Sequence, residues 1–406
     1  MIAWRGFARC LIVVWLLTPA AAAAEPVERI LEPNTEVVAT LQALGDNSSC
    51  VLEGTRIIEN LGDFAAGWHR MKETGPTGRD FTIKMAWMSD RKRAFYCGAN
   101  HNSPHRLNDA WEYDLASNTW VLLYKPDYND RGPITDYDKQ TLFLQDGWLR
   151  TKRGGPAHPG HTWWGLTYDP VSESALWYSA WPGYRLQAKL DAIGASKDDL
   201  YPGPPIWAFH SATKTWKPLP TAKPWPRSAF GSSLEFIPEL GGCLWQYRNS
   251  TWLLDSKNKT WKLLTDEGAA LPIESLVCYD RERQLLIGHR GTYKDAPPRT
   301  YHMSLKGKPQ GWENVLESTE LPNGHDARSL MYFDPVGKVA LLYERKEKQL
   351  WSYDPDKRAW SKLTPQGPAP PFGPKERVIA YMDPSRNVFV AIGYGRVWCY
   401  RHSRAD

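Results

Sequence analysis

Four arginines, Arg79, Arg227, Arg328 and Arg377, each stand just ahead of a short apolar run, and His161 holds the same place ahead of a fifth. A guanidinium is a planar fork that matches carboxylate, sulfate and phosphate. Arginines recurring at one structural position would therefore build a cationic funnel for an anionic ligand, unless each is neutralised by a neighbouring Asp or Glu. A second group is rich in histidine. His101-Asn-Ser-Pro-His105 and His158-Pro-Gly-His161 have spacings that could hold zinc, copper or iron through neutral imidazole. Should the two pairs meet near Asp109 or Asp136, they would support metal-assisted hydrolysis; solvated loop histidines are the alternative. Arg106, His289, Arg290, His325 and Trp181 fall in the same kind of polar, Pro- and Gly-containing segment. The chain has no G-x-S-x-G elbow, no P-loop and no H-E-x-x-H, so the chemistry rests on these residues.

The elements that must position them are written in aromatics. Trp111 and Trp120, Trp207 and Trp216, Trp252 and Trp261, and Trp351 and Trp360 are four pairs with one spacing, each joined by a short polar stretch. That pattern reads as strand, turn, strand. The first members, continued by Tyr301 and Trp398, recur mostly at intervals of 45 to 50 residues, the length of a four-stranded propeller blade. A second signal repeats six times: an aromatic or Met before an acidic turn, as in Tyr168-Asp169-Pro170, Tyr279-Asp280, Phe333-Asp334-Pro335 and Met382-Asp383-Pro384. Each joins two short apolar runs and reads as a hairpin.

The expected fold is therefore all-β, a six-bladed propeller. The second Trp of the last pair would fall at position 407, beyond the chain, so the sixth blade lacks an outer strand. The N-terminal part should supply it, and Gly67-Trp68-His69-Arg70-Met71 is the candidate. Insertions are expected at about 127–160 and 182–205, and a degenerate seventh blade within 127–160 is the alternative count. The repeating Trp are expected to be core; Trp148, Trp181 and Trp225 lie outside the repeat and are candidates for ligand contact.

This pattern resembles the kelch family of propellers over roughly residues 65 to 402, in its aromatic-Tyr-Asp, turn, Trp units and Pro-rich links. The family's paired glycines after the second strand are reduced here to Gly98, Gly288 and Gly393. The resemblance implies the fold and a bias towards binding. Copper oxidases of the galactose oxidase group share that fold, and Tyr301-His302 looks like their metal-site pair; their large flanking domains have no counterpart here. In such a ring the loops between second and third strands and those between blades emerge on one face. Arg79, His101, His105, Arg106, His158, His161, Arg227, His289, Arg290, His325, Arg328 and Arg377 map to that loop-rich face, and the opposite face is expected to carry only tight acidic turns.

The ends and the composition bound the rest. Arg5 and Arg9, the apolar run Leu11 to Leu17 and Ala22-Ala23-Ala24 read as an export signal over residues 1–24. Residues 25–64 read as a leader with a helix capped by Asn34 or Thr35, and 65–406 as the propeller. After cleavage 48 basic face 45 acidic residues, too even a balance for nucleic acid. Cys50, Cys97, Cys243, Cys278 and Cys399 show no CxxC spacing and are expected as buried thiols, or with one disulfide. The expectation is a secreted or periplasmic monomer without a membrane span or cofactor. Its loop-rich face would bind an anionic or polyhydroxy ligand, foremost a glycan, or an extracytoplasmic protein; a metal-dependent hydrolase or copper-type oxidase is the alternative.

Overall fold

The computed structural model describes residues 31–58, 75–76, 82–98, 107–127, 142–157, 160, 162–179, 186–227, 231–292, 295–323, 329–373 and 376–404. They form six radial sheets, each beginning with an innermost strand: Ala86–Met88, Leu166–Asp169, Ser233–Ile237, Leu276–Asp280, Leu330–Asp334 and Ile379–Asp383 in blades 1 to 6. The protein is a six-bladed β-propeller. Among the described residues, the segment expected as an insertion contains one two-stranded hairpin, Leu142–Gln145 with Trp148–Thr151, and not a seventh blade.

Turn chemistry explains why these segments fold locally. The last residue of four inner strands is a buried Asp whose carboxylate accepts backbone N–H groups two or three residues on. Examples are Asp169 from Val171, Asp334 from Val336 and Gly337, and Asp383 from Ser385 and Arg386. An Asx turn of this kind competes with continued extension and reverses the chain. The fourth turn residue then takes a positive φ in all six blades, at Lys92, Glu173, Gly241, Gln284, Lys338 and Asn387. The Asp that ends the third strand does the same work further out, with Asp114, Asp255 and Asp354 capping the turns between third and fourth strands.

The paired tryptophans are staples, as their spacing predicts. The second Trp lies directly across from the residue two beyond the first, as in Tyr113 with Trp120, Phe209 with Trp216 and Tyr353 with Trp360. The rings of these pairs sit 4.9 to 5.0 Å apart. Two of these indole N–H groups reach into the preceding part of the ring: Trp216 donates to the Asn108 carbonyl at 3.0 Å, and Trp360 to Thr300 Oγ1 at 2.8 Å. These two outer strands thus fasten their blades to the ones before, while apolar faces pack between blades.

The N-terminal part closes the ring, but through a different strand from the one its sequence pointed to. Ser48–Leu52 pairs antiparallel with Arg396–Arg401 as the outer strand of blade 6. Residues 67–71 lie outside the described residues. The chain next crosses to blade 1, where Arg56–Ile58 adds a fifth, parallel strand beside Thr119–Tyr124. Between the two, Thr55 Oγ1 donates to the Gly395 carbonyl at 2.8 Å. The segment therefore straddles the seam between last and first blades. The helix before it, α1 (Thr35–Ala43), is capped by Asn34, whose Oδ1 accepts from Glu36 and Val37 N–H. Its Val37 and Leu41 are buried against this seam.

Insertions are folded onto the ring. A second helix, α2 (Leu186–Ala192), places Leu186 and Leu190 against Leu142, Leu149 and Ala157 of the extra hairpin, forming a small satellite core. Asp127 ties that hairpin to blade 1. Its Oδ2 accepts from Asn108, Tyr124 and Thr151 at 2.7, 2.7 and 2.5 Å, and its Oδ1 pairs with Arg153 at 2.8 Å. Trp148, a sequence candidate for ligand contact, is buried here, stacked on Tyr201 at 4.8 Å. It packs the hairpin because hairpin and ring together enclose both its faces. Trp225 is half-buried against the same Tyr201.

Candidate functional site: an aromatic cup at the tight-turn mouth

The inner strands do not line an open pore. Lys84, just ahead of the first inner strand, reaches across the axis to blade 3, where Nζ donates to the Leu234 carbonyl at 3.1 Å and to Glu235 Oε2 at 2.5 Å. Trp164 of blade 2 donates its indole N–H to the Val277 carbonyl of blade 4 at 2.6 Å. From blade 5, the Tyr332 hydroxyl donates to the Ala380 carbonyl of blade 6 and accepts from Met85 N–H of blade 1. Neighbouring inner strands also bond directly, Met85 N–H to Ala380 carbonyl at 3.0 Å and Leu234 N–H to Trp164 carbonyl at 3.1 Å. These cross-axis contacts fill the middle of the ring, and Lys84 lies 5.8 Å over the Trp164 ring.

Above that floor opens a cavity of about 960 Å³ to which all six blades contribute. Its mouth is on the face of the tight acidic turns, the face whose sequence promised turns alone. The penultimate residue of each inner strand lines it: Trp87, Tyr168, Phe236, Tyr279, Phe333 and Met382. Five aromatics and one methionine thus ring the axis at one level, because the repeat puts a large side chain immediately before every turn. The turns themselves are only four residues long, so no turn folds back over the ring. Trp87 is held by an offset stack on Tyr381, with centroids 6.0 Å apart and planes 9° from parallel.

Polar groups are set among the rings. Glu239 at the rim accepts from Arg281 Nε at 2.6 Å and from the Tyr279 hydroxyl at 2.9 Å. Partial burial pushes the Glu239 carboxyl up, but its backbone, Arg281 and Tyr279 hydrogen bonds outweigh that and hold it below the usual range. Burial first, and then the neighbouring Glu239, push the Tyr279 phenol up, so it remains a donor at neutral pH. The Cys278 thiol is pushed well up by burial, with Glu235 and Asp280 adding to the effect. A thiol raised in this way is not a nucleophile at neutral pH. The cup therefore offers flat apolar faces with interspersed donors and acceptors, and its lining sets Glu235, Glu239 and Glu282 against Lys84 and Arg281. That balance has no preference for an anion.

Of the residues singled out by sequence, the described ones, Arg227, His289, Arg290 and Arg377, do not line the cup. Arg79, His161 and Arg328, with His101, His105, Arg106, His158, Trp181 and His325, fall outside the described residues. Arg227 is exposed and Arg377 half-buried. Arg290 is buried beside Glu274, 3.5 Å away. Among the described residues no group of three or more His, Cys, Asp or Glu is placed to hold a metal ion. His302, the sequence neighbour of Tyr301, instead bonds the Tyr353 hydroxyl at 2.8 Å between blades 4 and 5.

His289 is fully buried in blade 4, bonded to the Pro322 carbonyl at 2.9 Å and to Thr300 Oγ1 at 3.2 Å. Burial, reinforced by Arg290, pushes its pKa down to about 4. A histidine lowered on folding binds fewer protons in the native state, so its contribution is complete above about pH 6.5 and drains away as pH falls towards 4. Denaturant unfolding should show about 2 kcal/mol less stability at pH 5 than at pH 7 from this residue. His289→Gln should flatten that slope; an unchanged slope would remove His289 as its source.

The sequence signal for the cup was present but served another purpose. The aromatic before each acidic turn counts blades, and nothing local shows that the six converge. A Lys and a Glu among apolar strand residues at 84 and 235 are the other visible sign, since charged groups are rarely buried unless paired.

No family model matches the chain, and no curated protein matches it. Among solved structures, it is similar to a gluconolactonase from Xanthomonas campestris with a TM-score of 0.44 at 9% identity, covering 80% of this chain and 87% of that one. It is also similar to a chain of a nidogen/laminin complex with a TM-score of 0.39 at 11% identity, covering 70% and 81%.

Proposed function

We propose that this propeller is a binding protein whose ligand is an uncharged polyhydroxy ring, the end or branch of a glycan, seated in the cup at the tight-turn mouth. The ring of Trp87, Tyr168, Phe236, Tyr279, Phe333 and Met382 above the Lys84–Glu235 pair carries this reading. Aromatic faces take up the apolar C–H surface of such a ring, while Glu235 and Glu239 accept from hydroxyls and Tyr279 lies beside them. A pocket that is mostly apolar with a few fixed polar groups is the usual form of a small-ligand site. Arg5 and Arg9, the apolar run after them and Ala22–Ala24 support export to the periplasm or beyond, where glycans are available.

The test is a glycan array followed by titration calorimetry on the best neutral hit. Trp87→Ala should weaken binding roughly 30-fold, the effect of removing a central aromatic anchor of about 2 kcal/mol. Arg227→Ala, far from the cup lining, should leave it unchanged. Sensitivity confined to Arg227, with selection for acidic glycans, would instead move the ligand to the loop-rich face.

A further inference from the structure

Cys50 and Cys399 are directly opposite one another in the pairing that closes the ring, Ser48–Leu52 against Arg396–Arg401. Directly opposed residues of an antiparallel pair have Cα atoms roughly 4.5–5.5 Å apart and side chains on the same face, inside the roughly 4.4–6.8 Å that a disulfide spans. Their shared face is the interface between last and first blades, where Cys399 is fully buried and Cys50 half-buried. The two positions are 349 residues apart in the chain, yet the fold holds them together at the seam where the last blade meets the first. Cys97, Cys243 and Cys278 are buried in other strands, where the register sets Cys97 opposite Ala110, Cys243 opposite Phe236 and Leu254, and Cys278 opposite Ile287.

We infer that Cys50 and Cys399 are a disulfide site that locks the propeller shut. Both are free thiols in the structure. The oxidant is a small-molecule or protein disulfide, and the exchange is balanced. The Cys50 thiolate attacks one sulfur of that disulfide and expels the other as a thiolate. Cys399 then loses its proton and attacks Cys50 Sγ, releasing the second half of the reagent as a thiol. Two protein thiols are oxidised and one disulfide is reduced.

The order of attack follows from the surroundings. The hydrogen bond from Cys399, with Arg401 nearby, holds the Cys50 thiol below its ordinary value against the opposing effect of burial. Burial pushes the Cys399 thiol well up. Cys50, half-buried, is thus the thiol an external disulfide meets first, and Cys399 resolves the mixed disulfide within the fold.

The experiment uses the whole protein incubated with oxidised glutathione, alkylated without reduction, and analysed by intact mass and peptide mapping. The expected result is a loss of two alkylatable thiols and a crosslinked peptide joining Cys50 to Cys399. The treated protein should also melt at a higher temperature than protein kept in dithiothreitol, a difference absent in Cys50→Ser. Retention of every thiol after unfolding in alkylating reagent would overturn the inference, and so would a disulfide of any other pairing. The first readout uses the unmutated chain, so it stands even if Cys50→Ser folds poorly.

Discussion

Glu235→Ala will destabilise the fold by about 3 kcal/mol, and Lys84→Met by distinctly less, although the two residues form one ion pair. Lys84 has 5% of its side chain exposed and Glu235 26%. Removing Glu235 strands a buried ammonium, for which the general cost is about 3–5 kcal/mol; the Leu234 carbonyl remains as a partner and keeps the effect near the lower end. Removing Lys84 leaves a carboxylate that already reaches solvent from the cup, and methionine keeps much of the lysine stem's packing against Trp164. Lys84→Met with Glu235→Leu should recover most of the loss, because well-packed apolar pairs commonly replace buried ion pairs at little cost. Urea unfolding of the two single variants and the double gives the coupling. Equal losses from the two single changes would show that the pair is not the buried-cation plug described above.

Deleting residues up to 58 should remove cooperative folding altogether. The segment buries Val37, Leu41, Leu44 and Leu52, together about 6–12 kcal/mol at 1.5–3 kcal/mol each, which matches the entire stability of an ordinary domain. It would also uncover Arg396–Arg401 on one side of the seam and Thr119–Tyr124 on the other, leaving unpaired N–H and C=O groups that recruit other chains. Light scattering should report a larger mass for the shortened protein than for the full chain, and a synthetic peptide of residues 31–58 should reverse the increase. A shortened chain with the scattering and the melt of the full chain would show that closure does not depend on this segment.

The blades were legible because their code is local. An Asp at a strand end reverses the chain by bonding N–H groups two or three residues away, and a Trp seven residues past its opposed Tyr or Phe meets it across that turn. Neither relation needs the rest of the molecule, so six hairpins and six aromatic third strands could be counted from the text. The helix after Asn34 was readable for the same reason. The closing strand was not: Ser-Ser-Cys-Val-Leu is short, half polar and has no Trp, so it looks like leader. Trp68 fits the repeat better by eye, yet Ser48–Leu52 pairs there because Arg396–Arg401 is otherwise left without an outer neighbour.

The sequence by itself determined an all-β ring of six units, its turn chemistry, its tryptophan staples and the need for an N-terminal strand. Which strand closes the ring, and where a ligand can sit, only the tertiary structure decided. Lys84 and Glu235 are 151 residues apart, and Cys50 and Cys399 further still. The six aromatics before the turns become a cup only when all six blades face one axis. Local text specifies what each short segment does with its neighbours; it carries no record of which distant segments the closed ring will bring face to face.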